Sequence, residues 1–424
     1  MSNEKDQEHF IFFGCWNNGG CTIGNCNKDK KRSSSSKRLI SKEIETINPL
    51  SGMMQQLIKR TETESESEPS FMIVAGDNYY PNIINETIDG VKIKSKKFKQ
   101  EDLESGFCCL DNINIETKFI LLGNHDVDGF SGDSEIVCPI LQFQKDKYLN
   151  DPASVLFNFH SKQLMTHKIK DHTIIIMFDS TVYDSEKIKK DKDGNFLKCY
   201  NLISPESQFS SIDEIIKYQK VQSENTLIEL EKMVGIQNII FACHHPIVSL
   251  KGSIESKKGK KDKKENPIMH GMIDFLFPFY EKFKDTKFIH LCADVHLWQH
   301  SLLTIEKESN IMEIEQYVVG TGGAKLDSIY DSGVTVLSFE SVQEPDETKY
   351  EITCKINIDE QQSSNGFLDC KFSEDDKKEF IANFIRSVSD TATSGGGRKK
   401  LSLKIKTRRN RTRKSRNKTF YKRR

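Results

Sequence analysis

Residues 73–81 read IVAGDNYYP, an apolar run that breaks at Gly76 and delivers Asp77, Asn78, Tyr79 and Tyr80. A buried strand ending there leaves Asp77 at its carboxyl edge, where open α/β sheets hold ligands. Three further segments share this build. Residues 119–126 read FILLGNHD, residues 239–246 read IIFACHHP, and residues 288–296 read FIHLCADVH. Each is an apolar strand candidate that ends in side chains able to bind metal or carry a proton. Four such endings predict one site assembled by a sheet.

Outward from these strands the pattern is α/β. HFIFF at 9–13 predicts a first buried strand, released at Gly14, Cys15, Trp16 and Asn17. Met53, Met54, Leu57 and Ile58 recur at helical spacing after Pro49, a residue suited to a helix start. Residues 82–112 are polar and Lys-rich and are expected as loop with a short helix. A short helix is expected at 139–148, strands at 154–159 and 173–178, and a hairpin over 186–198 turning at Asp193-Gly194. A helix over 221–234 is expected to carry Leu227, Leu230 and Val234 to the core ahead of strand 238–242. Residues 268–283 read as partly helical. Strands follow at 287–291, 299–304, 312–319, 333–339 and 347–358, then a small helix near 375–387. GTGGAK at 320–325 is a flexible loop that lacks the Lys-Ser/Thr ending of a nucleotide P-loop.

The balanced charge hides a segregation. Residues 398–424 hold 15 Lys or Arg and no acid, which leaves 47 bases against 62 acids in the remainder. This segment has too little apolar content to fold alone. It is expected to contact nucleic acid or another polyanion non-specifically and to permit nuclear targeting. A second Lys-rich run, 251–265, reads as a solvated loop. The eleven Cys are odd in number and irregularly spaced, so unpaired thiols in a reducing compartment are expected, not a disulfide framework. Cys15, Cys21 and Cys26 match no standard zinc spacing. The acidic, polar N-terminus does not read as a signal peptide, and no stretch approaches a membrane span. The chain therefore reads as soluble and intracellular, cytoplasmic with nuclear targeting open to it.

The strand endings carry the chemistry. Asp77 can bridge two metal ions, as in-line hydrolysis by a two-metal site requires. Asn124 offers a neutral oxygen, His244 and His296 offer imidazole nitrogens, and Tyr80 offers a phenolate for a hard ion. His125 is placed to protonate a leaving oxygen or stabilise a phosphoryl group. His245 either shares that work or orients His244.

Taken in order, GDNYY, GNHD, HHP and D-x-H resemble the motifs of the calcineurin-like metallophosphoesterases, and within them the mammalian-type purple acid phosphatases. The resemblance spans roughly residues 9–340 and includes the strand ending at Asp179 and the GTGGA loop. It implies a four-layer α/β/β/α sandwich with two mixed central sheets. It implies a phosphatase acting on a phosphate ester through a dinuclear centre of iron with iron, zinc or manganese. By position, Asp77 bridges the ions, Tyr80 and His296 serve the iron-side ion, Asn124 and His244 serve the second, and His125 contacts phosphate. Two positions depart. The family's first motif has Asp where this chain has Cys15, and its Gly-His-Asp-His is here Ala293-Asp294-Val295-His296. Cys15 and Asp294 can still ligate, but a thiolate favours zinc over Fe(III). A catalytically impaired, binding or structural descendant is the alternative. The implied organisation is a metallophosphoesterase-like domain over 1–345, an extension packed on it over 346–390 and a disordered basic tail over 391–424.

Overall fold

The computed structural model describes residues 9–21, 23, 26, 49–62, 68–80, 82–88, 91–127, 138–148, 161–184, 188, 194–204, 208–248, 268–307, 310–327, 336–340, 350–356, 362–372 and 379–387. Two mixed sheets form its centre and helices flank them, the architecture of a four-layer α/β/β/α sandwich. The first sheet has five strands. Its middle is β1 (His9–Phe13), which runs parallel to β2 (Phe71–Ala75), and β2 runs parallel to β5 (Thr117–Leu121). On the other side of β1 lie two antiparallel strands, β14 (Gly366–Phe372) and β15 (Phe380–Arg386).

The second sheet has eight described strands in the order 336–340, 350–356, 298–307, 310–319, 287–292, 238–242, 173–177 and 165–169. Its parallel heart is β7 (Thr173–Met177), β8 (Asn238–Ala242), β9 (Lys287–Cys292) and β11 (Asn310–Val319). Antiparallel strands β6 (Met165–Ile169), β10 (Trp298–Lys307), β12 (Val336–Glu340) and β13 (Tyr350–Ile356) complete it. Alternation along β8 shows why the middle strands read as unbroken apolar runs. Ile240 and Ala242 join the core that also holds Phe10, Phe12, Ile73 and Ile289. Ile239 and Phe241 face the opposite way and pack with Met272, Ile273 and Leu276. Those three belong to helix α6 (His270–Lys282). With both faces buried, positions 239–242 are all apolar.

Among the described residues the other α-helices are α1 (Pro49–Glu62), α2 (Gln100–Asp111), α3 (Pro139–Tyr148), α4 (Asn195–Ile203) and α5 (Ile212–Leu230). α1 starts at Pro49 and buries Met53, Met54 and Leu57, as the spacing predicts. α5 is capped by Ser211, whose hydroxyl accepts the Glu214 N–H.

Several local expectations are corrected. Antiparallel strands β3 (Asn82–Ile88) and β4 (Val91–Lys97) pair where loop was expected. Residues 195–198, expected in a hairpin, open α4 behind Gly194, whose φ of 65° suits glycine. The helix placed at 221–234 begins nine residues earlier and stops at Leu230, leaving Val234 93% exposed. The segment near 375–387, expected as helix, supplies β15, because pairing with β14 overrides its helical spacing. Strand β6 and strand β14 were not expected. Residues 350–386 thus contribute strands to both sheets. The strand expected at 154–159, the Lys-rich run 251–265 and the tail 391–424 lie outside the described residues.

The cysteine expectation is also corrected. Cys21 bonds Cys109, Cys26 bonds Cys108, and Cys138 bonds Cys199. Cys15, Cys243, Cys292, Cys354 and Cys370 are buried thiols. Irregular sequence spacing concealed the pairs because each joins segments more than sixty residues apart. Such bonds persist in oxidising surroundings, not in the reducing compartment the spacing suggested. No described helix is long and apolar enough to cross a membrane.

Candidate metal centre

The parallel strands of both sheets release their chemistry at one shared end. Asp77 follows β2, Asn124 and His125 follow β5, His244 and His245 follow β8, and Asp294 and His296 follow β9. Cys15 follows β1. The first sheet's loops are tied together by backbone bonds from Cys15 N–H to Gly76 O (3.1 Å) and Trp16 N–H to Asp77 O (3.3 Å). The second sheet's are tied by Ala293 N–H donating to His244 O at 2.8 Å. Gly14 N–H donates to Val319 O (3.0 Å), joining the two sheets at this end.

Three of the candidate ligands sit in left-handed backbone: Cys15 at φ 53°, Asp77 at 51° and Asp294 at 52°. Side chains other than glycine adopt this region at a cost, and such residues gather at functional sites. The glycines around them allow the close approach. A Cβ on Gly123 would stand 2.2 Å from Asp77 N and 2.5 Å from Asp77 Oδ1, and one on Gly320 would stand 2.1 Å from Val295 O.

Asp77 is the hub. It is 1% exposed. Its Oδ1 accepts the His125 backbone N–H at 2.8 Å and lies 3.3 Å from His244 Nε2. Its Oδ2 accepts the Tyr80 hydroxyl at 2.7 Å. Tyr80 Oη also lies 2.9 Å from His296 Nε2. His244 Nε2 lies 3.9 Å from Asp294 Oδ1. Among the described residues, two groups of side chains present donor atoms within 4.8 Å of one another: Cys15, Asp77 and His244, and His244, His245 and Asp294.

A cation fits this donor set, because lone pairs outnumber protons. His244 Nδ1 is 2.7 Å from Ala75 O and His296 Nδ1 is 2.7 Å from Lys325 O. A carbonyl only accepts, so each Nδ1 carries a proton and each Nε2 faces inward as the nitrogen left for a cation. Outer hydrogen bonds of this kind orient histidine ligands in metal sites. His296 is further fixed by its own N–H, which donates to Asp327 Oδ2 at 3.1 Å. The electrostatics register the same crowding of acceptors, which draws a second proton onto His244 where a cation would otherwise sit. Burial opposes charge on Asp77, yet His244 and His125 hold its carboxyl well below the usual range. Burial also opposes charge on His244, but Asp77 and Asp294 push it up to about 9. Burial, Asp77 and Cys15 push the Tyr80 phenol well above its ordinary value.

The structure thus brings Cys15, Asp77, Tyr80, Asn124, His125, His244, His245, Asp294 and His296 to one end of the sheets. Tyr80 and His125 rings lie 4.9 Å apart and the Asn124 amide oxygen is buried. Sequence reasoning missed the scaffold behind them. Asp126 accepts N–H groups from Gly123 (2.7 Å), Asn78 backbone (3.0 Å), Asn78 Nδ2 (3.0 Å) and Gln144 Nε2 (3.0 Å). Asn78 in turn accepts from Trp16 Nε1 and donates to Leu121 O, both at 2.9 Å. These bonds lock the GDN and GNHD turns to the Trp16 loop. Asp126 and Asn78 were visible in the quoted motifs, but only their partners reveal the role.

Comparison with models of known protein families and with curated proteins finds no match to this chain. The fold and the two His/Asp/Cys clusters are nonetheless consistent with the calcineurin-like metallophosphoesterase superfamily.

Proposed function

We propose that the chain is a metal-dependent phosphoester hydrolase of the purple acid phosphatase-like kind. The observation that carries this reading is the meeting of the Tyr80 hydroxyl and His244 Nε2 on the two oxygens of buried Asp77, with His296 Nε2 on the same Tyr80 hydroxyl. Asp77 would bridge two ions. Cys15, Tyr80 and His296 would hold one, and Asn124, His244 and Asp294 the other. The ions, iron with iron, zinc or manganese, would supply positive charge for phosphoryl oxygens and an activated water. The chain's own residues do the rest. His125 is anchored through its backbone to Asp77 and turns its ring to the same side as Tyr80, where it can donate to a phosphoryl or leaving oxygen. His245 is a second donor beside His244. The basic segment 398–424 would hold the protein near nucleic acid or another polyanion.

The test is hydrolysis of an aryl phosphate from about pH 5 to 8 with added iron, zinc or manganese, compared with His125→Ala. A metal-dependent rate that falls roughly 100-fold or more in His125→Ala supports the reading. Full metal loading with no rate would leave a metal-binding but catalytically impaired component, the alternative role.

A further inference from the structure

His244 and His245 are adjacent, but their rings are held by different partners. His244 Nδ1 faces Ala75 O, so it carries a proton and Nε2 is the nitrogen left for a cation. His245 meets a side chain instead. Ser180, fully buried just beyond β7, accepts the backbone N–H of His244 at 3.2 Å and that of His245 at 2.9 Å through its Oγ. A hydroxyl oxygen has two lone pairs, and these two bonds occupy both. The third contact of Ser180 Oγ is His245 Nδ1 at 3.0 Å. Only the hydroxyl proton remains to make it; the competing acceptor beside it, the Cys243 sulfur, is a weak one whose own proton goes to His245 O at 3.3 Å. Ser180 therefore donates to Nδ1, and the neutral His245 ring carries its proton on Nε2. On that side lies an acceptor, Asp184 Oδ2, 3.8 Å from His245 Nε2.

We infer that Ser180 is a positioning residue that holds His245 in the Nε2–H tautomer, opposite to that of His244, so that the pair divides into one metal ligand and one hydrogen-bond donor. Within the group His244, His245 and Asp294, only His244 and Asp294 then present lone pairs to a cation. His245 presents an N–H suited to an oxygen of an anionic phosphoryl group. It stabilises that oxygen by donation and transfers no proton, since the neutral ring has none to lose at ordinary pH. The use of the N–H rests on the phosphoester reading. The tautomer does not.

Ser180 itself is set by the turn around it. The neighbouring Asp179 accepts the Thr181 N–H at 2.9 Å and the Tyr200 hydroxyl. Gln219 brackets the Asp179 backbone, accepting its N–H at 3.0 Å and donating to its carbonyl at 2.9 Å. This clamp fixes where the serine hydroxyl stands.

Long-range proton–nitrogen spectra of the full-length, disulfide-intact protein labelled with 15N histidine test the inference, without and with added zinc. His245→Gln identifies the resonance. The expected pattern for His245 is Nε2–H in both states. Ser180→Ala is expected to convert it to a mixture of tautomers, and Ser180→Thr, which keeps the hydroxyl, to restore it. An Nδ1–H pattern in the wild type, or displacement of the Nε2 proton by zinc, would overturn the assignment. In the aryl phosphate assay, Ser180→Ala is expected to lower kcat about tenfold at unchanged KM and zinc content. An unchanged kcat with the tautomer lost would overturn the donor role. If the wild type shows no hydrolysis, the phosphoester reading fails while the spectra still decide the tautomer.

Discussion

Removing the Cys21–Cys109 and Cys26–Cys108 bonds should reveal a strong non-additivity in stability. The bonds are nested, with sequence separations of 88 and 82. By the chain-entropy relation, closing either long loop alone restricts the unfolded chain by about 4.6 kcal/mol. Once one bond is present, the second closes only a small ring through Cys21–Cys26 and the adjacent Cys108 and Cys109. That ring has on the order of seven residues and is worth about 2 to 2.5 kcal/mol. Each pair replaced singly by alanine should therefore cost about 2 kcal/mol, and both together about 7 kcal/mol. Urea unfolding, with the slope fitted separately for each protein because a less restricted unfolded chain exposes more surface, measures all four. The staples matter to the site because they hold the chain after Cys15 against α2. Asn17 Nδ2 donates to Leu103 O at 3.2 Å, Cys21 N–H donates to Ser105 Oγ at 3.0 Å, and the Trp16 and Phe107 rings lie 5.2 Å apart. Metal affinity should fall with the double removal and little with either single one. A single removal as costly as the double, or strictly additive costs, would refute the nested-loop reasoning.

Three further outcomes are expected. Gly123→Ala should destabilise the fold by about 1–3 kcal/mol and lower metal content, because its Cβ would collide with Asp77; unchanged metal content by elemental analysis would contradict this. Asp369 is bonded to His9 and lies 3.3 Å from Arg60 Nε. Burial works against its charge, but His9 and Arg60 hold its carboxyl below the ordinary 3.8. Its stabilisation is therefore full above pH 3.8 and lost as pH falls through the lower folded value. Asp369→Asn should flatten that acid limb of the stability curve, and an identical limb in urea titrations would count against the pairing. Deleting residues 398–424 should abolish weak DNA binding that falls steeply with salt; equal binding at two salt concentrations with and without the segment would exclude its role.

The sequence exposes the parts of this protein that depend on local pattern. Fully apolar strands such as Ile239–Ala242 announce themselves, because burial on both faces leaves no polar position. The metal-ligand candidates follow, since each stands just beyond such a strand. What stays hidden depends on partners distant in the chain. Phe380–Arg386 is a strand only because β14 lies beside it. The three disulfides close loops whose ends no spacing rule connects. Ser180 looks like any serine after a strand until its three contacts are counted. The left-handed backbone at Cys15, Asp77 and Asp294 is equally silent, because no glycine marks those positions.

Asp77 carries the central claim, so the metal content of Asp77→Asn beside the wild type is the most direct measurement. Both proteins are loaded with zinc or iron, desalted and analysed for bound metal and for unfolding midpoint. The account predicts up to two ions per wild-type chain and their loss in Asp77→Asn, which removes the bridging carboxylate while nearly preserving its shape. A wild type that binds no metal, or an Asp77→Asn variant that binds as much as the wild type, would contradict it.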